Sequence, residues 1–266
     1  MSSIGFVGAG RMGAPMVARL TYAGHKVRAF GRSPEKCAAI RELGAEAVTA
    51  VTEVADGADV VIVCVFTDEQ VHRVCLDGDL MPAMRPGSVL VVHTTGSPET
   101  AATLAARADR HFIDVVDAPV SGGPHDIADG HVTLFVGGGD DAVGQVRPVL
   151  SCYGDPVLHV GPTGAGQRVK LVNNALFAAQ IGVVAEAVRL GERLGVDEPT
   201  LLRAIPHGSG TSSALTMIAS AGSASTFAAA VGDFIGKDVA VIRKTLAELG
   251  SDLGRLDDIV NSGLPS

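Results

Sequence analysis

Ser3-Ile4-Gly5-Phe6-Val7-Gly8-Ala9-Gly10-Arg11-Met12-Gly13 is a short apolar run followed at once by three spaced glycines. From Arg11 to Tyr22, Met12, Met16 and Leu20 recur at intervals of four with Val17 beside them, which is one face of a helix. Pro15 falls in the first turn of that helix, where its missing N–H is harmless. Strand, glycine turn, helix is the context in which G-x-G-x-x-G binds a dinucleotide. Gly8 permits the tight turn, Gly10 lets the backbone approach a pyrophosphate, and Gly13 lets the helix pack on the strand. The helix N-terminus then faces the phosphate charge. Arg11 and Met12, inside the turn, are placed with the cofactor too.

Lys26–Phe30 reads as the second strand. An NAD site would carry Asp or Glu near its end to hold the ribose 2′-hydroxyl. Gly31-Arg32-Ser33 stands there instead. A guanidinium and a hydroxyl suit a 2′-phosphate through charge-assisted bonds, so NADP(H) is expected over NAD(H).

Further apolar runs at 60–65, 88–92, 112–116, 132–136 and 157–160 alternate with helical patterns, as in a doubly wound, mostly parallel sheet. Ligands of such sheets sit in the loops after the strands. This puts Val65-Phe66-Thr67-Asp68 and Thr94-Thr95-Gly96-Ser97-Pro98 beside the cofactor. Ser97 and Pro98 also read as a helix start. Ser121-Gly122-Gly123, within Asp117–Gly123, offers a hydroxyl and adjacent backbone N–H groups suited to a small carboxylate.

Gly164-Ala165-Gly166-Gln167-Arg168-Val169-Lys170-Leu171-Val172-Asn173-Asn174 opens an apolar run to about Leu194. Lys170 and Asn174, four apart, share a helix face. About 28 residues at 1.5 Å each make a helix of roughly 40 Å, longer than one small domain needs. The reading is an interdomain helix that sets a lysine and an amide in the cleft it bridges. The expected domains are 1–162, an NADP-binding Rossmann-type unit, and 163–266, an all-helical unit begun by the long helix. Within the latter, 199–205 reads as a short helix and 208–213 as a capping loop. An amphipathic helix is expected over 236–249, with Lys237 and Asp238 in its first turn. A lysine there opposes the helix dipole, which hints that it serves a ligand.

Composition agrees with a compact protein: 47% of the 266 residues are hydrophobic and 19% charged. A net charge of −8 argues against nucleic acid as a partner. Cys37, Cys64, Cys75 and Cys152 are scattered, as expected of free thiols in a reducing compartment. With a strand starting near Ile4 and no uninterrupted apolar run of about 18 residues, the cytoplasm is the expected location. No histidine spacing matches a metal site.

Taken together, these motifs resemble the 3-hydroxyisobutyrate dehydrogenase family, the β-hydroxyacid dehydrogenases, over nearly the whole chain. The matching stretches are Gly5–Gly13, Asp117–Gly123, Gly164–Lys170 with Asn174, and Lys237-Asp238. The resemblance implies that Lys170 is catalytic and that Asn174 orients substrate. Ser121, Gly122 and Gly123 would hold the substrate carboxylate. Thr95 would approach the nicotinamide, and Lys237 would close over the cofactor. It also implies a homodimer or homotetramer. The chemistry would be hydride transfer between a small β-hydroxyacid and nicotinamide, with Lys170 as general acid/base, provided a dry cleft or nearby cation lowers its pKa.

The chain departs from the family pattern at Phe66, Val92, Asp126 and Ile127, the last two beside His125. These departures leave the reaction class standing and the substrate open; His125 and Asp126 read as solvated loop residues, with a place lining the substrate mouth as the alternative. Decarboxylating relatives carry a histidine where this chain has Asn173. The alternatives are an imine-reductase-like enzyme, against which Lys170 counts, and a non-catalytic NADP-binding regulator, which has no need of Lys170, Asn174 and Ser121 together.

Overall fold

The computed structural model describes residues 1–263, which fall into two compact units divided after Lys170. The first unit alternates strands and helices: β1 (Ser3–Val7), α1 (Gly13–Tyr22), β2 (Lys26–Phe30), α2 (Pro34–Glu42), β3 (Glu46–Val48), α3 (Val51–Ala55), β4 (Val60–Val63), α4 (Asp68–Cys75), α5 (Leu80–Ala83), β5 (Val89–Val92) and α6 (Pro98–Ala108). It continues with β6 (Asp114–Asp117), β7 (Val120–Ser121), α7 (Pro124–Asp129), β8 (Val132–Gly137), α8 (Asp140–Leu150) and β9 (Gly154–Gly161).

The strands form one sheet in the order β3-β2-β1-β4-β5-β6-β8-β7, with β9 paired to β8. All pairs from β3 to β6 are parallel, whereas β8 runs antiparallel to β6 and β7. The sheet is buried on both faces, which is why its central strands read as unbroken valine and isoleucine. Ile4, Phe6, Ile62 and Val91 pack with Met16, Val17 and Leu20 of α1 and with α8 on one side. Val61, Val63, Leu90 and Val92 pack with Val54, Val71 and Leu104 on the other. The period of two places alternate residues on opposite faces.

The register sets the site. Val7 pairs with Val63, Phe6 with Ala29, Val63 with Val92, and Val92 with Asp117. The carboxyl ends of β1, β2, β4, β5 and β6 therefore lie along a single edge, and the order changes direction at β1, where ligands of such sheets bind.

The long helix α9 (Ala165–Arg193) has 29 residues. The two compact units divide after Lys170, and the first turns of α9 are bonded to the sheet, as described below. In the second unit α9 is followed by α10 (Glu198–Ala204), α11 (Ser213–Ala221), α12 (Ala224–Glu248) and α13 (Arg255–Gly263). Ala178, Ile181 and Val184 of α9 build its core with Leu202, Leu215, Ile218, Phe227, Val239 and Val260. By length and composition α9 would suffice to cross a membrane; 44% of its most apolar stretch is buried within the protein.

One expectation fails here. No helix starts at Gly236: α12 begins at Ala224, capped by Ser223, and runs straight through. Lys237 is thus in mid-helix, and the dipole argument for it does not apply. A single helical glycine costs about 1 kcal/mol, and the burial of Phe227, Ile235, Val239 and Ile242 along α12 outweighs that.

Candidate active site

In the glycine turn, Gly8 has φ +104°, and a Cβ there would collide with the Cys64 carbonyl at the end of β4. A Cβ on Gly13 would strike the Gly8 carbonyl. At Gly10, in contrast, an added Cβ would meet nothing within 4 Å. The turn is packed from behind and open in front at the N-terminus of α1, a cradle that fits a pyrophosphate. Arg11 is exposed and Met12 half-buried. At the end of β2, Arg32 is exposed and Ser33 caps α2, its Oγ accepting from the Lys36 N–H at 3.3 Å. No carboxylate precedes the cap.

Thr94 ties the next two loops together: its Oγ1 accepts from the Val65 N–H at 3.1 Å and donates to the Val65 carbonyl at 2.9 Å. Phe66 is 56% exposed beyond it, and Thr95 is buried. The same edge thus carries Val65, Phe66 and Thr95 beside the glycine turn.

Asp117 ends β6, fully buried, and it points at the start of α9. Its Oδ1 accepts from the Gly164 N–H at 2.6 Å and its Oδ2 from the Gln167 N–H at 2.7 Å. A carboxylate satisfies two of the orphan donors at a helix N-terminus and complements the dipole. Burial pushes the Asp117 carboxyl up, opposed by those two N–H bonds and by Arg168. Gly166 makes the approach possible, since a Cβ there would press on the Phe135 and Asp117 carbonyls. Gln167 completes the joint: Oε1 accepts from the Gly96 N–H at 3.0 Å and Nε2 donates to the Thr94 carbonyl at 2.8 Å. Lys170, one turn after Gly166 on the same helix face, is 4% exposed. The lysine is therefore fixed to the threonine loop by its own helix. Sequence reading passed over Gln167, whose role depends on partners more than 70 residues away.

The Ser121–Gly123 loop follows. Ser121 is half-buried in β7. Gly122 has φ +134°, and the Gly123 N–H donates to Asp126 Oδ2 at 2.6 Å. Asp126 is thus a capping residue of α7 and not simply solvated, while His125, 3.4 Å from its Oδ1, is largely exposed. For Gly123 to hold a substrate carboxylate through its N–H, the Asp126 bond must be given up.

A second residue that the sequence reading passed over is His93. Its Nδ1 donates to the Ala118 carbonyl at 2.5 Å, and its Nε2 accepts from the Tyr153 hydroxyl at 2.8 Å. These bonds select the neutral tautomer, and burial lowers the pKa to about 4. The bond to Ala118 anchors the chain just before the Ser121 loop. Because the folded pKa lies below the ordinary 6.5, this stability is present above pH 6.5 and is lost as pH falls toward 4, by about 3 kcal/mol. Unfolding midpoints of wild type and His93→Gln between pH 7 and 4 check this. The variant should show the shallower acid dependence, and parallel curves would contradict the assignment.

In the second unit, Asp238 is fully buried. Asn174 Nδ2 donates to its Oδ2 at 2.6 Å, and Lys237 Nζ lies 3.0 Å from its Oδ1. Lys237 also sits 5.5 Å over the Phe234 ring. Asn174 and Lys237, 63 residues apart in sequence, converge on one carboxylate. Among the described residues no group of three or more His, Cys, Asp or Glu could hold a metal.

Known proteins match this chain over nearly its whole length. Residues 3–161 match the family described as the NAD binding domain of 6-phosphogluconate dehydrogenase. Residues 164–257 match that described as the NAD-binding region of NADP-dependent 3-hydroxyisobutyrate dehydrogenase. A 3-hydroxyisobutyrate dehydrogenase of Pseudomonas aeruginosa is 35% identical over 218 residues, 82% of this chain and 73% of that one. An NAD-dependent L-serine dehydrogenase of the same organism is 35% identical, over 81% of this chain and 72% of its own. The structure of the Mycobacterium tuberculosis 3-hydroxyisobutyrate dehydrogenase with L-serine superposes with a TM-score of 0.87 at 31% identity, over 98% of this chain and 92% of that one. The chain belongs to the 3-hydroxyisobutyrate dehydrogenase family, the β-hydroxyacid dehydrogenases, and is an NAD(P)-dependent hydroxyacid dehydrogenase.

Proposed function

We propose that this enzyme interconverts a small β-hydroxyacid and its aldehyde or keto acid with NADP(H), using Lys170 as the proton-transfer residue. The observation that carries this reading is the placement of Lys170: buried, at the start of a helix pinned through Asp117 and Gln167 to the loops after β5 and β6. The nicotinamide, when bound, supplies hydride acceptance and donation at C4. Lys170 takes the hydroxyl proton as the alcohol is oxidised and returns it to the carbonyl oxygen in the reverse direction. Asn174, one turn on, orients the same oxygen, and its bond to Asp238 fixes the amide.

Ser121, Gly122 and Gly123 receive the substrate carboxylate. Gly8, Gly10, Arg11, Met12 and Gly13 cradle the pyrophosphate, with Val65, Phe66 and Thr95 towards the nicotinamide; Lys237 is assigned as a further cofactor-binding residue. Lysine at position 170 also weighs against the imine-reductase reading, and burying a lysine makes no sense for a regulator that only holds the cofactor. Four free thiols suit the cytoplasm.

The test is NADP⁺ reduction at 340 nm with 3-hydroxyisobutyrate, L-serine and 2-(hydroxymethyl)glutarate, the acids named for relatives. Turnover of at least one β-hydroxyacid is expected; cofactor binding without turnover of these or other β-hydroxyacids would favour the regulator.

Cofactor choice rests on Arg32. Arg32→Ala should lower kcat/KM for NADP by roughly 10- to 100-fold, the worth of one charge-assisted pair of about 1.5–3 kcal/mol, and should change kcat/KM for NAD little. Equal losses would place the 2′-phosphate elsewhere.

A further inference from the structure

The Ser121–Gly123 loop stands past the carboxyl edge of the sheet. β6 ends at Asp117 opposite Gly137, while Val120 pairs with Leu134 and Ser121 with Thr133 of the same antiparallel partner, β8. Ser121 is therefore carried four residues beyond the end of β6, roughly 13 Å at about 3.3 Å per residue. A substrate carboxylate seated there would look to the Ser121 hydroxyl and to the backbone N–H groups that follow it.

One of those N–H groups is taken by an acid of the chain itself. The Gly123 N–H donates to Asp126 Oδ2 at 2.6 Å, and a Cβ added to Gly122 would stand 2.8 Å from the same oxygen. The carboxylate thus lies across both glycines. Its Oδ1 is 3.4 Å from His125 Nε2, and the His125 ring covers Gly123, where an added Cβ would meet it at 2.9 Å. Ile127, next to Asp126, is fully buried with Val132 and Leu134, and so fixes α7 in place. The Asp126 side chain is itself 37% exposed, open to a ligand. It also stands at one of the positions where the chain departs from the family pattern.

A carboxylate beside a carboxylate-binding loop repels what the loop is to hold. An incoming acid must displace Asp126 from the Gly123 N–H or sit against it as a like charge. An acid with an ammonium on the carbon next to its carboxylate has a third course. With its carboxylate on Ser121 and Gly122, the ammonium comes within reach of Asp126 and makes a charge-assisted hydrogen bond. Granted the hydroxyacid chemistry proposed above, we propose that Asp126 is a specificity-determining residue. It selects 2-amino-3-hydroxyacids over 3-hydroxyacids whose one charge is the carboxylate. Capping of α7 accounts for the Gly123 bond alone, and any acceptor would serve it; the charge is what bears on substrate.

The test is kcat/KM with NADP⁺ for pairs that differ in the ammonium: serine, each enantiomer, against 3-hydroxypropionate, and threonine against 3-hydroxybutyrate. The wild type should favour the amino acid of a pair by at least about tenfold, through KM more than kcat. Asp126→Asn keeps an acceptor for the Gly123 N–H and removes the charge. It should cut that preference roughly 10- to 100-fold, the worth of one charge-assisted bond. Asp126→Gly should do the same and improve KM for the plain acids; if it loses its helical circular dichroism, the Asn variant decides. A wild type that favours the plain acids or turns over only these, or an Asp126→Asn that leaves the ratio unchanged, would overturn the assignment while the dehydrogenase stands. If no β-hydroxyacid turns over, the function proposed above fails instead. Calorimetric titration of the NADP-loaded wild type and Asp126→Asn with the same pairs then decides for or against Asp126, by the same ratio taken from dissociation constants.

Discussion

Lys170→Ala is expected to lower kcat by about 10²–10⁴-fold, the range of a positioned proton-transfer group, while the dissociation constant for NADPH stays within about threefold of wild type. The asymmetry follows from the structure. Lys170 belongs to α9, whereas the phosphate cradle at Gly8–Gly13 and the Arg32 loop are built from β1, α1 and β2. Removing the side chain leaves Gln167 bonded to Thr94 and Gly96, so the loop after β5 keeps its place. Alanine is also a good helix former, which leaves α9 intact. Transient kinetics with NADPH fluorescence for binding and absorbance for turnover would measure both quantities on one sample. A variant with normal turnover removes Lys170 from the mechanism, and a variant that no longer binds NADPH moves it to the cofactor.

Asp117→Asn tests the joint beneath that lysine. The carboxylate accepts two backbone N–H groups at once, from Gly164 and Gln167, inside the protein. An amide offers one acceptor, so its NH₂ must face an N–H that then has no partner. A buried unpaired donor costs about 1–3 kcal/mol, and losing the negative charge at a helix N-terminus adds up to about 2. A loss of about 3 kcal/mol would lower Tm by roughly 6–12 °C for a chain of this size. Turnover should fall as well, because the first turns of α9 carry Lys170. Calorimetry and kcat on the same preparation check the two together. An unchanged Tm would show that α9 is held by something other than Asp117.

β1, the glycine turn and α1 were legible because local rules determine all three: an apolar run, glycines where a Cβ collides, and a period of 3.6. The length and start of α9 were legible for the same reason, and so was the shared face of Lys170 and Asn174. β3 and β7, with three residues and two, carry too little pattern to be seen.

What stayed hidden depends on distant partners. Nothing local announces that Asp117, at the head of the Asp117–Gly123 motif, turns its carboxylate to Gly164 and Gln167, 47 and 50 residues on. The neutral His93 bridge between Ala118 and Tyr153 is hidden likewise. Asp126 looked solvated because its role, an acceptor for the Gly123 N–H, shows only once α7 is seen to start at Pro124. Gly236 misled in the other direction, since tertiary burial along α12 overrides its local preference.

Isotope transfer tests the central claim most directly. The enzyme is given an aldehyde acid that it turns over and NADPH carrying deuterium at C4, each stereoisomer in turn, and the product is read by mass spectrometry. Direct hydride transfer with Lys170 supplying the proton predicts one deuterium on the carbinol carbon from one stereoisomer and none from the other. The hydroxyl hydrogen should come from solvent. A β-hydroxyacid whose carbinol hydrogen comes from water would contradict the account, as would NADPH that binds and is never consumed with any aldehyde acid.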